Sequence, residues 1–274
     1  MDKTGLIRKA AQIRLATLEM IAGANKGHIG GCFSSVDILT ALFFGGILRI
    51  DPSNPSWDGR DRFILSKGHA CESFYVVLAQ LGFFAKTYLD QYQKPGGILG
   101  GHPDRSIPGI EADTGALGHG LGIGCGMALA ARMDGKEHLT VVLMGDGECC
   151  EGSVWESAMF AARHQLGRLI AIVDKNDLCV TDRVGNCMAI DPLADKWKAF
   201  GWDVIETDGH DMPALLKVFG GWRERTARRP LMIIAKTVKA KGVSSMEGVL
   251  GWHHGVPKGD VLSKAREELH KAGA

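Results

Sequence analysis

Residues 139–177 read LTVVLMGDGECCEGSVWESAMFAARHQLGRLIAIVDKND, and their order of apolar and polar residues decides the fold. Leu139–Met144 and Leu169–Val173 are unbroken apolar runs, the pattern of strands buried on both faces. Glu151–Leu166 between them reads as a helix. A strand, a helix and a strand within about 30 residues form one crossover unit. A right-handed crossover leaves the two strands parallel, with their carboxyl ends on the same edge of the sheet. Gly145-Asp146-Gly147 follows the first strand, and Asn176 follows the second, thirty positions past Asp146. Ligands of open α/β sheets bind beyond that edge, so the two side chains are expected to converge there.

Working outward, the alternation continues on both sides. Leu6–Ala22 has apolar residues at helical spacing, Asn25–Cys32 is glycine-rich and reads as a loop, and Ser34 is placed to cap a helix running to Leu48. Arg62–Leu65 reads as a short strand, Cys71–Leu81 and Lys86–Gln93 as helices, and Pro95–Asp113 as a long loop of the kind that carries function. Gly115–Arg132 is a helix of small residues. Trp197–Phe200, Trp202–Ile205, Leu215–Trp222 and Leu231–Ala235 alternate helix and strand, and Asp260–Lys271 is a charged amphipathic helix. The pattern predicts a three-layer α/β/α domain with a mostly parallel sheet, spanning residues 1–274 as a single unit.

Composition excludes several classes. Thirty-two Lys and Arg against 31 Asp and Glu leave a net charge of +1, and the cations are scattered. Neither a nucleic-acid footprint nor a polybasic membrane patch is present. The one cluster, Arg223, Arg225, Arg228 and Arg229, reads as a solvated helix end. Seven cysteines without CxxC spacing read as free thiols of a reducing compartment. No apolar run approaches the ~20 residues that span a bilayer, and no signal peptide is visible. The chain is expected in the cytoplasm.

The donor chemistry suits a hard cation. Magnesium takes one or two protein carboxylates together with phosphate oxygens and water. Asp146 offers a carboxylate, Asn176 an amide oxygen, and the Leu178 backbone a carbonyl. Gly145 and Gly147 let backbone amides approach phosphates closely. No GxxxxGK[ST] sequence is present, so a P-loop is excluded. His28, His69, His102 and His254 each sit beside glycine in loops, where binding residues concentrate. His164 and His210 lack that setting and read as structural or surface residues.

The GDGECCEGSVWESAMFAARHQLGRLIAIVDKND stretch resembles the metal- and diphosphate-binding signature of the thiamin-diphosphate enzymes, and among them the transketolases. Six further segments agree in order and spacing: NKGHIGG, LSKGHA, GGHPD, TGALGHGLGIGCGMALA, IIAKTVKAKGV and WHHGVP. The resemblance implies a thiamin-diphosphate-binding fold in which Asp146, Asn176 and the Leu178 carbonyl hold Mg2+ or Ca2+. It places His69, Gly147 and Lys236 toward the diphosphate, Glu148 among the cofactor-binding residues, and Gly115 and Leu117 along the cofactor. His28, His102 and His254 fall in the substrate channel, His254 also reaching the cofactor. Glu151 falls at a subunit interface. His119, where many transketolases have Gln, occurs in short, split members. Asp177 and Cys179 also depart from the usual Gly and Gln.

A complete transketolase is more than twice this length, and the segment carrying its cofactor-activating glutamate has no counterpart here. The resemblance therefore implies the N-terminal subunit of a split transketolase, in an α2β2 assembly with a C-terminal subunit carrying the pyrimidine-binding domain. The reaction implied is transfer of a two-carbon ketol unit from a ketose phosphate to an aldose phosphate. Alternatives in the same class are a branched or sulfonated sugar as substrate, a 1-deoxyxylulose-5-phosphate synthase, or the α chain of a 2-oxoacid dehydrogenase. Outside it stand a non-catalytic scaffold protein and a metal-dependent hydrolase using Asp146 with nearby acids such as Glu148, Glu151 and Glu156.

Overall fold

The computed structural model describes all 274 residues. Five strands form one all-parallel sheet: β1 (Arg62–Leu65), β2 (Thr140–Gly145), β3 (Leu169–Lys175), β4 (Asp203–Asp208) and β5 (Leu231–Lys236), in the order β1-β2-β3-β5-β4. The β2–α–β3 crossover is as expected, with Gly145 in register with Asp174 at the shared edge.

Strand side chains alternate between faces, and each face has its own core. Phe63, Val141, Leu143, Ile170, Ile172 and Ile233 pack against α1 (Lys3–Ala24), α2 (Ile29–Phe44), α3 (Cys71–Leu81) and α8 (Met212–Gly220). Ile64, Val142, Met144, Ala171, Val173 and Ile234 pack against α4 (Gly120–Met133), α5 (Gly152–Arg163) and α7 (Leu193–Ala199). That is the three-layer arrangement. Between β3 and α7 lies the short α6 (Val184–Cys187), and the C-terminal α9 (Gly259–Gly273) packs on α1.

Two expectations at helix starts are corrected. The glycine-rich 25–32 segment is a loop only as far as His28, and α2 begins at Ile29, not after Ser34. Gly30 is required by packing, because a Cβ there would stand 2.5 Å from the Trp252 carbonyl oxygen. Ser34 lies inside the helix and donates to Asp174 at 2.6 Å. Similarly, α4 starts at Gly120, and Thr114–His119 forms a loop in which Gly115 and Gly118 have positive φ. Lys86–Gln91 is a 3-10 turn in place of an α-helix.

All seven cysteines are free, and no helix is long and apolar enough to cross a membrane. The arginine cluster lies past the end of α8. Arg223 is ion-paired with Asp61, and Arg225 with Asp203.

Candidate active site

The β2 and β3 strands deliver Asp146 and Asn176 to the wall of one cavity of about 110 Å³ at the carboxyl edge. Asp146 is almost wholly buried. One carboxylate oxygen accepts from the Gly147 amide at 2.8 Å and the other from the Asp177 amide, so the aspartate tip is fixed to the start of the neighbouring loop. Burial, and then the adjacent Asp174, push its carboxyl up to about 6. A carboxylate so placed gains from a cation. A Cβ at Gly147 would stand 3.0 Å from Cys179 Sγ.

The donors here are all oxygens: one carboxylate, the Asn176 amide and backbone carbonyls. No cluster of three or more His, Cys, Asp or Glu side chains able to hold a metal occurs in the chain. Such a set does not cage an ion by itself. It fits a magnesium that brings phosphate oxygens with it. The Leu178 carbonyl accepts from Lys239 Nζ at 2.9 Å, as does the Cys179 carbonyl at 3.1 Å.

Two lysines also line the cavity. Lys67 is buried, ion-paired with Asp174, and donates to the Gly31 carbonyl at 2.8 Å. Ser34 and Thr237 also donate to Asp174. Lys239 is equally buried, and burial, then Lys67, pull its ammonium down to about 8. Two desolvated ammonium groups facing one cavity suit a diphosphate. Lys236 is not one of them. It ends β5 with its side chain exposed and ion-paired with Glu206 at 3.2 Å, outside the cavity. The expectation is corrected: the chain continues three residues into a turn whose Ala240 amide donates to the Gly30 carbonyl, and that turn carries Lys239 inward.

The histidines gather above the cavity. His28 lies 4.7 Å from His254 and 5.4 Å from His69 between ring centroids, and His69 stacks on His253 at 5.2 Å. His102 borders the group with its ring against Gly115, where a Cβ would be 2.8 Å away. Burial, reinforced by Lys67, lowers His69 to about 2, and burial with Lys239 lowers His253 to about 3. Burial also lowers His28. A neutral imidazole both donates and accepts, which suits such a ring to hydroxyls.

The other expected residues divide. Leu117 and Glu148 line the cavity. Glu148 accepts from Ser66, from the Gly118 amide at 2.9 Å and from the Gly145 amide at 3.2 Å, tying the 114–119 loop to the tip of β2. Glu151 is exposed at the start of α5, its Cβ close to Gly118. His119 is exposed at the start of α4. His210 is structural: Nδ1 faces Asp37 at 2.7 Å, and Nε2 accepts from the Val238 amide at 2.8 Å. Sequence reasoning missed Lys67, Asp174, Lys239 and His253. The available signals were Lys67 two residues before His69 and the doubled histidine at 253–254.

Fold and cavity together define a diphosphate-binding α/β domain. The family profile described as "Transketolase, thiamine diphosphate binding domain" matches residues 7–271. The chain belongs to the transketolase family. It is 44% identical over 256 residues to an apulose-4-phosphate transketolase subunit from Phocaeicola vulgatus, covering 93% of this chain and 90% of that one. It is 40% identical over 270 residues to the 6-deoxy-6-sulfo-D-fructose transketolase subunit SqwG of a Clostridium species, covering 98% of both. Human transketolase is 37% identical, with 89% of this chain matched to 38% of that protein. The crystal structure of Campylobacter jejuni transketolase superposes with a TM-score of 0.93 at 30% identity, over 98% of this chain and 43% of that one. The chain therefore spans less than half the length of these two larger transketolases, and nearly all of the Phocaeicola and Clostridium subunits.

Proposed function

We propose that this chain is the cofactor-binding subunit of a split transketolase, with residues 1–274 acting as one unit. The observation that carries the reading is the meeting of Asp146, Asn176, two buried lysines and a histidine cluster at one strand edge. Thiamin diphosphate, when bound, supplies the nucleophilic carbon and electron sink for moving a two-carbon ketol unit. Asp146, Asn176 and the Leu178 carbonyl would hold Mg2+, and Lys67, His69 and Lys239 would receive the diphosphate. His28, His102 and His254 bind the donor ketose through its hydroxyls and exchange protons with it. Gly115 and Leu117 would lie along the cofactor.

A partner chain is proposed to supply the cofactor-activating carboxylate and the grip on the sugar's far end, in an α2β2 assembly in the cytoplasm. The face formed by α4 and α5 supports this: Ile123, Met159 and Phe160 are exposed there beside Gly122 and Gly126, and Glu151 sits at its border. Relatives named for apulose 4-phosphate and a sulfonated fructose favour an unusual sugar over the common pentose and hexose phosphates. The test is reconstitution. The chain mixed with its partner should form ketol-transfer product that neither forms alone. Full activity of the isolated chain would reject the split assembly, and absence of Mg2+-dependent thiamin diphosphate binding would reject the cofactor.

A further inference from the structure

Beneath His28 lies a buried acid that the proposed chemistry does not use. Glu72, the second residue of α3, has no solvent exposure. Its Oε1 accepts from the His28 backbone amide at 2.9 Å and the Tyr92 hydroxyl at 2.8 Å. Its Oε2 accepts from the Cys32 thiol at 3.1 Å and more weakly from the Cys71 thiol at 3.7 Å. Its partners, one backbone amide, one hydroxyl and two thiols, each direct a hydrogen at it. None of those donors is a cation. The nearest ring nitrogen is His28 Nδ1, 4.0 Å from Oε1, shielded from solvent and without a hydrogen-bond partner. Gly27 makes the approach possible: its φ is +154°, and a Cβ there would stand 2.8 Å from Glu72 Oε1.

We propose that Glu72 is a positioning residue that holds His28 in the tautomer protonated at Nδ1, leaving Nε2 as an acceptor for a hydroxyl of the donor sugar. A carboxyl oxygen 4.0 Å from one ring nitrogen that is buried and otherwise unpartnered favours the proton on that nitrogen. The neutral ring then has its lone pair on the far side. The same carboxyl group fixes the His28 backbone, which is also bridged to Gly255 and so brought alongside His254. The inference rests on the reading that His28 faces the sugar. Its chemical content is that the site recognises a hydroxyl that donates at this point.

Nitrogen-15 spectra of the histidines in the full-length chain, loaded with Mg2+ and thiamin diphosphate, test this directly. His28, identified by the signal lost in H28A, should show a protonated Nδ1 and a bare Nε2. In E72Q, which keeps the shape and replaces the carboxyl by an amide, the tautomers should mix or reverse. A wild-type ring protonated at Nε2, or an unchanged ring in E72Q, overturns the proposal, and the wild-type spectrum decides even if E72Q does not fold. In the assembly with the partner chain, E72Q should raise the donor KM about tenfold with a smaller change in kcat, and an unchanged KM overturns it too. If H28A leaves donor KM untouched, the placement of His28 in the sugar site fails instead, whatever the spectra show.

Discussion

Lys236 and Lys239 are three residues apart and have opposite fates. Lys239→Ala should weaken Mg2+-dependent thiamin diphosphate binding by roughly tenfold, because it removes a buried cation from the cavity wall. Lys236→Ala should leave affinity unchanged. Calorimetric titration of both separates them, and equal losses would return the role to Lys236. Alanine at Asp146 should cost more, ~100-fold in the same titration, as the carboxylate among neutral oxygen donors. Asp146 and Asn176 were legible because a crossover of fixed length carries two polar residues to one edge. Lys239 was not: strand periodicity ends at Lys236, and a turn hooked onto Gly30 sets the direction of the chain beyond it. His253 was hidden for a related reason, since no periodicity tells which of two adjacent histidines turns inward.

At the level of the element, α2 shows packing overriding propensity. Glycines at 27, 30 and 31 read as a loop because glycine weakens helices, yet Gly30 lies in the first turn of α2 against the Trp252 backbone. Gly30→Ala should destabilise the chain by ~1–3 kcal/mol through overpacking, and should also disturb the 252–255 segment that brings in His253 and His254. Gly23, near the end of α1 with nothing within 4 Å of its would-be Cβ, is the control. Gly23→Ala should stabilise by ~0.5–1 kcal/mol. Urea midpoints of the two variants moving in the same direction would refute this account. The buried strands were legible from their unbroken apolar runs. Helix starts were not, because they depend on which distant backbone a glycine must admit.

Across the whole molecule, one buried charge network joins α1, α2 and the turn after β4. Asp37 on α2 is met by Arg14 at 2.6 Å and His210 at 2.7 Å. Burial raises its carboxyl, but the Arg14 charge and the His210 hydrogen bond outweigh it and hold the group near 2. A folded value below the unfolded one stabilises the protein above about pH 4, and that contribution, roughly 2 kcal/mol, is lost as pH falls through 2. Denaturation followed from pH 6 to 2 should show the wild type losing its advantage over Asp37→Asn across that window. A gap independent of pH would count against it. The three-layer order was legible from the alternation of elements, whereas this triangle was not, since its members are 23 and 173 positions apart. A comparable long-range tie runs through α3, where Glu72 holds the His28 amide and the Tyr75 hydroxyl donates to the His102 carbonyl at 2.6 Å. Two walls of the proposed sugar chamber thus share one hidden foundation, and on that proposal preference among ketoses is expected to be retunable from below, by editing side chains that never touch a substrate.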